Sequence, residues 1–426
     1  MKTSWYKTMN YASYTLLLFG AMACTPSGGD KSNKTNNKMT DFKVGSYGYD
    51  VAFFAENKIN TIELKGADSR GRVLLIPAFQ GRIMTSTANG NEGASFGWIN
   101  YKLIKSGKVS KQFNPYGGEE RLWLGPEGGN FSVYFKQGKE QVFENWVVPK
   151  EIDTETYDIV SQDSGSVKFK KNFELKNYSG TLLNIGIERT VKLLTRNEIE
   201  NDLNVSFPHS LDYVAYQSEN VLINRGNNDW NAQSGLLSIW MLSMFNPSEK
   251  GVVFIPFHDG SEKDLGTKVN DDYFGKVPAN RLLVKDNILF FKTDGKYRSK
   301  IGISPKRALS YCGSYDSDKR VLTLLLYSMP EELMNYVNSK WGNQDDPLKG
   351  DAVNSYNDGP VADGSVMGPF YEIESSSPAA KLKAGGKIVH IQRIFHFSGT
   401  EEQLNQITEN LFKLSISEIK NAFVNN

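Results

Sequence analysis

The chain has 426 residues, and its 49 Lys and Arg nearly balance 48 Asp and Glu, for a formal net charge of +1. With no basic run and no recognised binding motif, that balance carries no nucleic-acid footprint. Two cysteines, Cys24 and Cys312, exclude a disulfide scaffold, and a folded portion this long buries enough core to need none.

In chain order, Lys2 and Lys7 open a short positive region. Tyr14–Ala23 (YTLLLFGAMA) follows, about half the roughly 20 apolar residues that a membrane-spanning helix needs. It suits the apolar core of a cleaved signal peptide, so residues 1–23 are set aside from the fold. The end of this stretch, Ala21-Met22-Ala23-Cys24, resembles the lipobox of bacterial lipoproteins, with Ala21 where Leu is usual. That resemblance implies acylation of Cys24 and an exported chain, lipid-anchored in the cell envelope on the periplasmic side or at the cell surface. The membrane is then a partner through the N-terminal lipid only. Residues 24–40 continue as TPSGGDKSNKTNNKMT after the cysteine, too polar to fold, and read as a flexible tether. With Cys24 lipidated, Cys312 has no partner and reads as a small buried hydrophobe.

Residues 41–426 read as one β-rich domain. Arg72–Pro77, Val167–Phe173, Ile185–Leu194, Gly251–Phe257, Ile288–Lys292 and Arg320–Tyr327 are strand candidates, and Phe131, Val133 and Phe135 would share one strand face. Gly, Asn, Asp and Pro clusters separate them. Helical signals are few. Pro330–Val337 is a short candidate. Thr400–Gln403 forms a capping box ahead of Leu404, Ile407 and Leu411, and Ile416, Ile419 and Phe423 make a last piece. Many strands with a helical C-terminus predict a large antiparallel sandwich.

Common catalytic signatures are absent, no cofactor motif appears, and the four histidines are too dispersed to read as a metal site. Three segments carry the candidate chemistry. Pro115–Gly129 (PYGGEERLWLGPEGG) sets Glu119, Glu120, Arg121 and Glu127 among glycines and beside Tyr116 and Trp123. Carboxylates and a guanidinium hydrogen-bond hydroxyls, and an aromatic ring stacks on the C–H face of a sugar. Gly350–Pro360 reads as a loop that offers Asp351, Asn354, Tyr356, Asn357 and Asp358. Gly368–Pro378 places Glu372 and Glu374 on one side of a strand with Phe370, a pair in which one carboxyl raises the pKa of the other. In Ile388–Phe397, His390, Gln392 and His396 share a face, which makes His390 a candidate polar wall of a cleft.

The C-terminal order is a Glu-bearing strand, a Ser-Pro, Leu382, Gly385-Gly386, and a strand ending in Phe395-His396-Phe397. It resembles the closing segment of the galactose mutarotase (aldose epimerase) superfamily. Val73–Trp98, with Phe79-Gln80-Gly81-Arg82-Ile83 and then Gly97-Trp98, is similar to the family's early segment. The resemblance implies a mainly β fold, a large antiparallel β-supersandwich with short C-terminal helices, and a concave face that binds carbohydrate. It implies a general base at Glu372, with Glu374 the other match. The family's Asn-x-x-x-His-Gly-Gly segment is replaced by GGEERLWLGPEGG, and His209, in SFPHSLDY, does not match the mid-chain histidine. Two functions follow: epimerase-like acid–base chemistry at an anomeric centre, or carbohydrate binding without catalysis. In the first, Glu372, Arg121 and Glu127 are catalytic. Glu119, Glu120, Trp123, Asn354, Tyr356, Asp358, Glu374 and His390 bind substrate, and neither metal nor cofactor is required. Nothing in the sequence fixes an oligomeric state.

Overall fold

The computed structural model describes residues 38–66, 70–361 and 363–424. The leader, Cys24 and the tether as far as residue 37 lie outside the described residues. The tether expectation is shortened at its far end. Met39–Asp41 form a 3-10 turn, Met39 N–H donates to Glu56 Oε1 at 2.9 Å, and the Met39 side chain packs on a hydrophobic cluster.

The strands in chain order are β1 (Ile62–Lys65), β2 (Arg72–Ile76), β3 (Arg82–Thr87), β4 (Arg121–Gly125), β5 (Asp158–Gln162), β6 (Ser166–Lys176), β7 (Leu182–Leu193), β8 (Asp212–Asn224) and β9 (Ser238–Phe245). They continue as β10 (Gly251–Pro256), β11 (Leu282–Lys285), β12 (Ile288–Lys292), β13 (Ser299–Ile303), β14 (Tyr311–Asp316), β15 (Val321–Tyr327), β16 (Val353–Asn357), β17 (Tyr371–Ser376) and β18 (Lys387–Ser398). The helices are α1 (Tyr47–Glu56), α2 (Tyr101–Ser106), α3 (Arg196–Leu203), α4 (Glu262–Leu265), α5 (Glu401–Phe412) and α6 (Ile416–Lys420).

These strands make three antiparallel sheets: β1-β2-β3, a ten-stranded sheet β11-β12-β10-β14-β15-β18-β8-β7-β6-β5, and a five-stranded sheet β13-β16-β17-β9-β4. The expected mainly β architecture with short C-terminal helices holds. The main core fills the space between the two larger sheets, with Ile185, Ile187, Tyr216 and Ile394 on one side and Leu122, Met241, Val353 and Ile373 on the other. A second core lies on the opposite face of the ten-stranded sheet. There α5 and α6 bury Leu404, Ile407, Ile416 and Ile419 against Phe254, Phe395 and Phe397. The Thr400 capping box fixes the start of α5: Thr400 Oγ1 accepts from Gln403 N–H, and Gln403 Oε1 accepts from Thr400 N–H at 2.9 Å. Cys312 is buried in β14 within the main core. Among the described residues no helix is long and apolar enough to cross a membrane.

Three local expectations fail. Phe131–Phe135 is a series of turns and bends, because its aromatic rings drop into the main core from an irregular loop, with no neighbouring strand to pair. Pro330–Val337 is not helical: Leu333 and Met334 are exposed while Tyr336 and Val337 reach the main core from an irregular segment. Val353–Asn357, read as loop, is strand β16, held between β13 and β17.

Candidate functional site

Side chains alternate across a strand, so the register of the five-stranded sheet decides which residues share its outward face. Across that face Arg121 lies opposite Leu242, Leu242 opposite Glu374, and Glu374 opposite Asn354. One step along, Met244 lies opposite Glu372, Glu372 opposite Tyr356, and Tyr356 opposite Lys300. The ion pairs then cross diagonally. Arg121 Nη2 donates to Glu372 Oε1 at 3.3 Å, although the two residues are far apart in sequence. Lys300 Nζ donates to Glu374 Oε2 at 2.8 Å, and Trp240 Nε1 donates to the same oxygen at 2.8 Å.

Aromatic rings floor this array. The Arg121 guanidinium sits 4.2 Å from the Trp123 ring centroid and 5.6 Å from that of Phe113. Lys300 Nζ lies 5.0 Å from the Trp240 ring and 5.4 Å from that of Tyr273. Around the edge, Tyr273 OH donates to Asp351, Asn354 Nδ2 donates to Tyr273 OH at 3.0 Å, and Tyr356 OH donates to Asp358 Oδ1 at 2.6 Å. Gly302 is required here: a Cβ on it would stand 2.1 Å from Asp351 Oδ2. Glu127 is half-buried at the β4 end, with its backbone N–H on Ser339 Oγ and its side chain beside Trp341, Lys300 and Glu374.

Burial makes ionisation expensive here. It pushes Glu372 up to about 7; the Arg121 and Lys300 charges oppose that shift, while Glu374 and Asp358 add to it. Burial likewise raises Glu127, Asp351 and Asp358 above the usual carboxylate range. For Lys300 burial acts downward, and the Glu374 carboxylate outweighs it, so the ammonium is held more firmly than usual. Arg121 Nε and Nη1, Trp123 Nε1 and Glu374 Oε1 are buried without a hydrogen-bond partner among the described residues. The void bounded by Trp240, Lys300, Asp351 and Asn354 measures about 30 Å³, room for one water. Among the described residues no group of three or more His, Cys, Asp or Glu is arranged to hold a metal ion.

The structure therefore brings Arg121, Trp123, Glu127, Asn354, Tyr356, Asp358, Glu372 and Glu374 to one face. It does not bring Glu119, Glu120 and His390 there, and their placement corrects the expected site. Glu120 is fully buried between the larger sheets. It accepts from Arg189 Nη2 at 2.6 Å, Gln392 Nε2 at 2.7 Å and Ser218 Oγ at 3.1 Å. Glu119 is also fully buried, accepting from Ser86 Oγ at 2.7 Å and paired with His396 Nε2 at 3.0 Å. His390 has Nε2 on Ser375 Oγ at 2.8 Å, and burial pushes its imidazole down to about 3, so it is neutral. No histidine stands in the cleft, since His396 is buried beside Glu119 while His209 and His258 are exposed. Lys300, Trp240 and Tyr273 were not singled out from sequence. Trp240 lies in an unbroken run, SIWMLSMF, and Lys300 in SKIGI, where only the register reveals a polar neighbour.

Residues 45–423 match the model of a family described as a family of unknown function (DUF6786). No curated protein matches the sequence. Among solved structures, the chain is similar to the Slr1438 protein from Synechocystis sp. PCC 6803, at 11% identity and a TM-score of 0.48, covering 80% of this chain and 96% of that one. It is similar to a galactose mutarotase-like protein from Lactobacillus casei ATCC 334, at 10% identity and a TM-score of 0.43, covering 80% and 99%. A galactose mutarotase related enzyme from Lactobacillus acidophilus aligns at 8% identity and a TM-score of 0.45, covering 81% and 99%.

Proposed function

From the premise that the chain belongs to DUF6786, a family of unknown function, we propose that the outward face of the five-stranded sheet binds a carbohydrate and that Glu372 acts as its acid–base group. The observation that carries this reading is the set of unpaired buried atoms, donors on Arg121 and Trp123 and an acceptor on Glu374, with the Arg121 guanidinium over the Trp123 ring. A polyol offers hydroxyls that donate and accept, so one ligand satisfies both kinds of group, and leaving them unmet costs roughly 1–3 kcal/mol each. A carboxyl raised to about 7 is matched to proton transfer near neutral pH. In this mechanism Glu372 takes the proton of the anomeric hydroxyl as the bond from the anomeric carbon to the ring oxygen breaks. Arg121, 3.3 Å from Glu372, steadies the charge left on the ring oxygen, and Glu372 returns the proton to the anomeric oxygen when the ring recloses on the other face of the carbonyl.

The test is polarimetric mutarotation of aldoses together with calorimetric titration of the same sugars. Glu372→Gln is expected to abolish mutarotation, and Arg121→Ala to weaken binding roughly ten- to a hundred-fold, from about 1.5–3 kcal/mol of charged hydrogen bonding. Wild-type affinity in Arg121→Ala would remove the site. The absence of a histidine from the cleft favours a second reading, carbohydrate binding without catalysis; binding with no mutarotation in the wild type selects it.

The same proposal places the domain in the cell envelope through a lipid on Cys24. Metabolic labelling with a fatty acid is expected to mark the wild type and not Cys24→Ser, and label on the variant refutes the anchor.

A further inference from the structure

We infer that the chain carries a second ligand site, at the open end of the space between the two larger sheets, which takes a neutral hydroxylated ring such as a pyranoside and hydrogen-bonds one of its hydroxyls at Thr323. It goes beyond the proposed cleft: the cleft lies on the outward face of the five-stranded sheet, and this cavity lies on the inward side.

The cavity has a volume of about 670 Å³, within the range of roughly 300–1,000 Å³ typical of small-molecule sites. Its walls come from three directions. Phe245 and Tyr371 stand on the five-stranded sheet, Thr323 and His396 on the ten-stranded sheet, and Phe96 and Trp98 on the segment that crosses between them. With Tyr101, five aromatic residues line the cavity, which suits the C–H face of a ring.

One wall is polar and held in place. Glu119 is buried and accepts from Ser86 Oγ, and its Oε1 lies 3.0 Å from His396 Nε2. Thr323 Oγ1 is 2.8 Å from His396 Nδ1. Phe96 stacks on the imidazole with centroids 4.2 Å apart, which locks the ring. What Thr323 offers to the cavity is therefore a fixed hydroxyl, and a hydroxyl on the ligand, which both donates and accepts, can meet it. At the mouth Asp316 and Lys319 pair at 3.5 Å, so the entrance carries both charges together and selects for neither sign. A hydroxyl-bearing, uncharged ring that stacks on aromatics is the chemistry these walls fit.

The experiment uses the full chain in detergent, with methyl β-D-glucopyranoside and methyl β-D-galactopyranoside as probes in saturation-transfer NMR titrations. Glu372→Gln combined with Arg121→Ala disables the outward cleft in both catalysis and binding, and this double variant is expected to keep saturable binding at the second site. Added to that background, Thr323→Val keeps the side-chain shape and removes the hydroxyl, and is expected to weaken the remaining binding about tenfold. Thr323→Ser is expected to restore it. Lys319→Trp, at the exposed mouth, narrows the entrance without touching the core and is expected to weaken binding as well, which keeps the test decisive if Thr323→Val does not fold. Binding unchanged in both Thr323→Val and Lys319→Trp overturns the inference, as does the lack of any saturable signal in the Glu372→Gln/Arg121→Ala background. A failure confined to the outward cleft appears instead as mutarotation and binding indifferent to Glu372→Gln and Arg121→Ala.

Discussion

Replacing Arg189 by Met removes the cation bonded to Glu120 in the middle of the sandwich. Arg189 and Glu120 both have side chains with no exposure, joined at 2.6 Å. The guanidinium also donates to Asn220 Oδ1 at 2.6 Å and to the Gly81 carbonyl at 3.2 Å. Ser218 and Gln392 would still donate to Glu120 in the variant, but two neutral donors do not offset a full buried charge. Breaking such a pair from one side costs about 3–5 kcal/mol, a large fraction of the roughly 5–15 kcal/mol that holds a domain together. Glu120→Gln should cost a similar amount, because it strands Arg189. The double variant should be less destabilised than the sum of the two, by on the order of 1–3 kcal/mol, as expected for residues in direct contact. Urea unfolding of the three variants measures the cycle. Additive losses, or single variants within about 0.5 kcal/mol of the wild type, would refute the reasoning. Single variants that kept full stability and lost sugar binding would return Glu120 to the ligand site.

Two further outcomes depend on pH. Glu372 holds its proton up to about 7 in the native protein and to about 4.5 when unfolded. Its contribution to stability is therefore present below about 4.5 and lost as pH rises to about 7, while a mutarotation rate that needs the ionised base should rise over the same upper limb. A rate flat from pH 5 to 9 in the wild type contradicts the assignment. His390 behaves oppositely: its native value is pushed down to about 3 from 6.5. The unfolded chain takes up a proton that the native state refuses, so stability is retained above about 6.5 and falls as pH drops toward 3, by at most about 1.4 kcal/mol per pH unit. Thermal melts between pH 7 and 4 should be flatter in His390→Asn than in the wild type, and identical slopes would exclude this role.

Much of the architecture was legible where one strand face is wet and the other dry. Val167 and Phe169 in β6 are fully buried while Lys168 and Lys170 alternate with them, a pattern readable without a partner strand. The placement of Glu372 and Glu374 on one side was legible from alternation alone, although both faces of β17 are buried. Glu120 was misjudged because its neighbours were read by composition rather than parity: it shares the inward side with Leu122, whereas Arg121 and Trp123 face outward. Glu119 shares the parity of Arg121, yet it precedes β4. Its backbone N–H goes to Met84, after a bend in which Gly117 and Gly118 both have positive φ, so alternation had no strand to act on. His390 and His396 do share a face, but that face turned out to be the interior, and a single strand cannot say which of its sides is covered. Trp240 and Lys300 were out of reach altogether, since their partner Glu374 is fixed by register across neighbouring strands.

Strand β17 carries two messages in one piece of chain. Its even-numbered residues Glu372 and Glu374 supply carboxylates to the outward array, and its odd-numbered residues supply Tyr371, Ile373 and Ser375 to the interior, where Ser375 Oγ donates to Gln392 and meets His390. Inserting or deleting one residue within it exchanges the two sets, driving two carboxylates into the core and an isoleucine into the cleft. A change in this strand that keeps both faces as they are must therefore leave its length unchanged, whereas residues added in the turns that flank it leave its alternation intact.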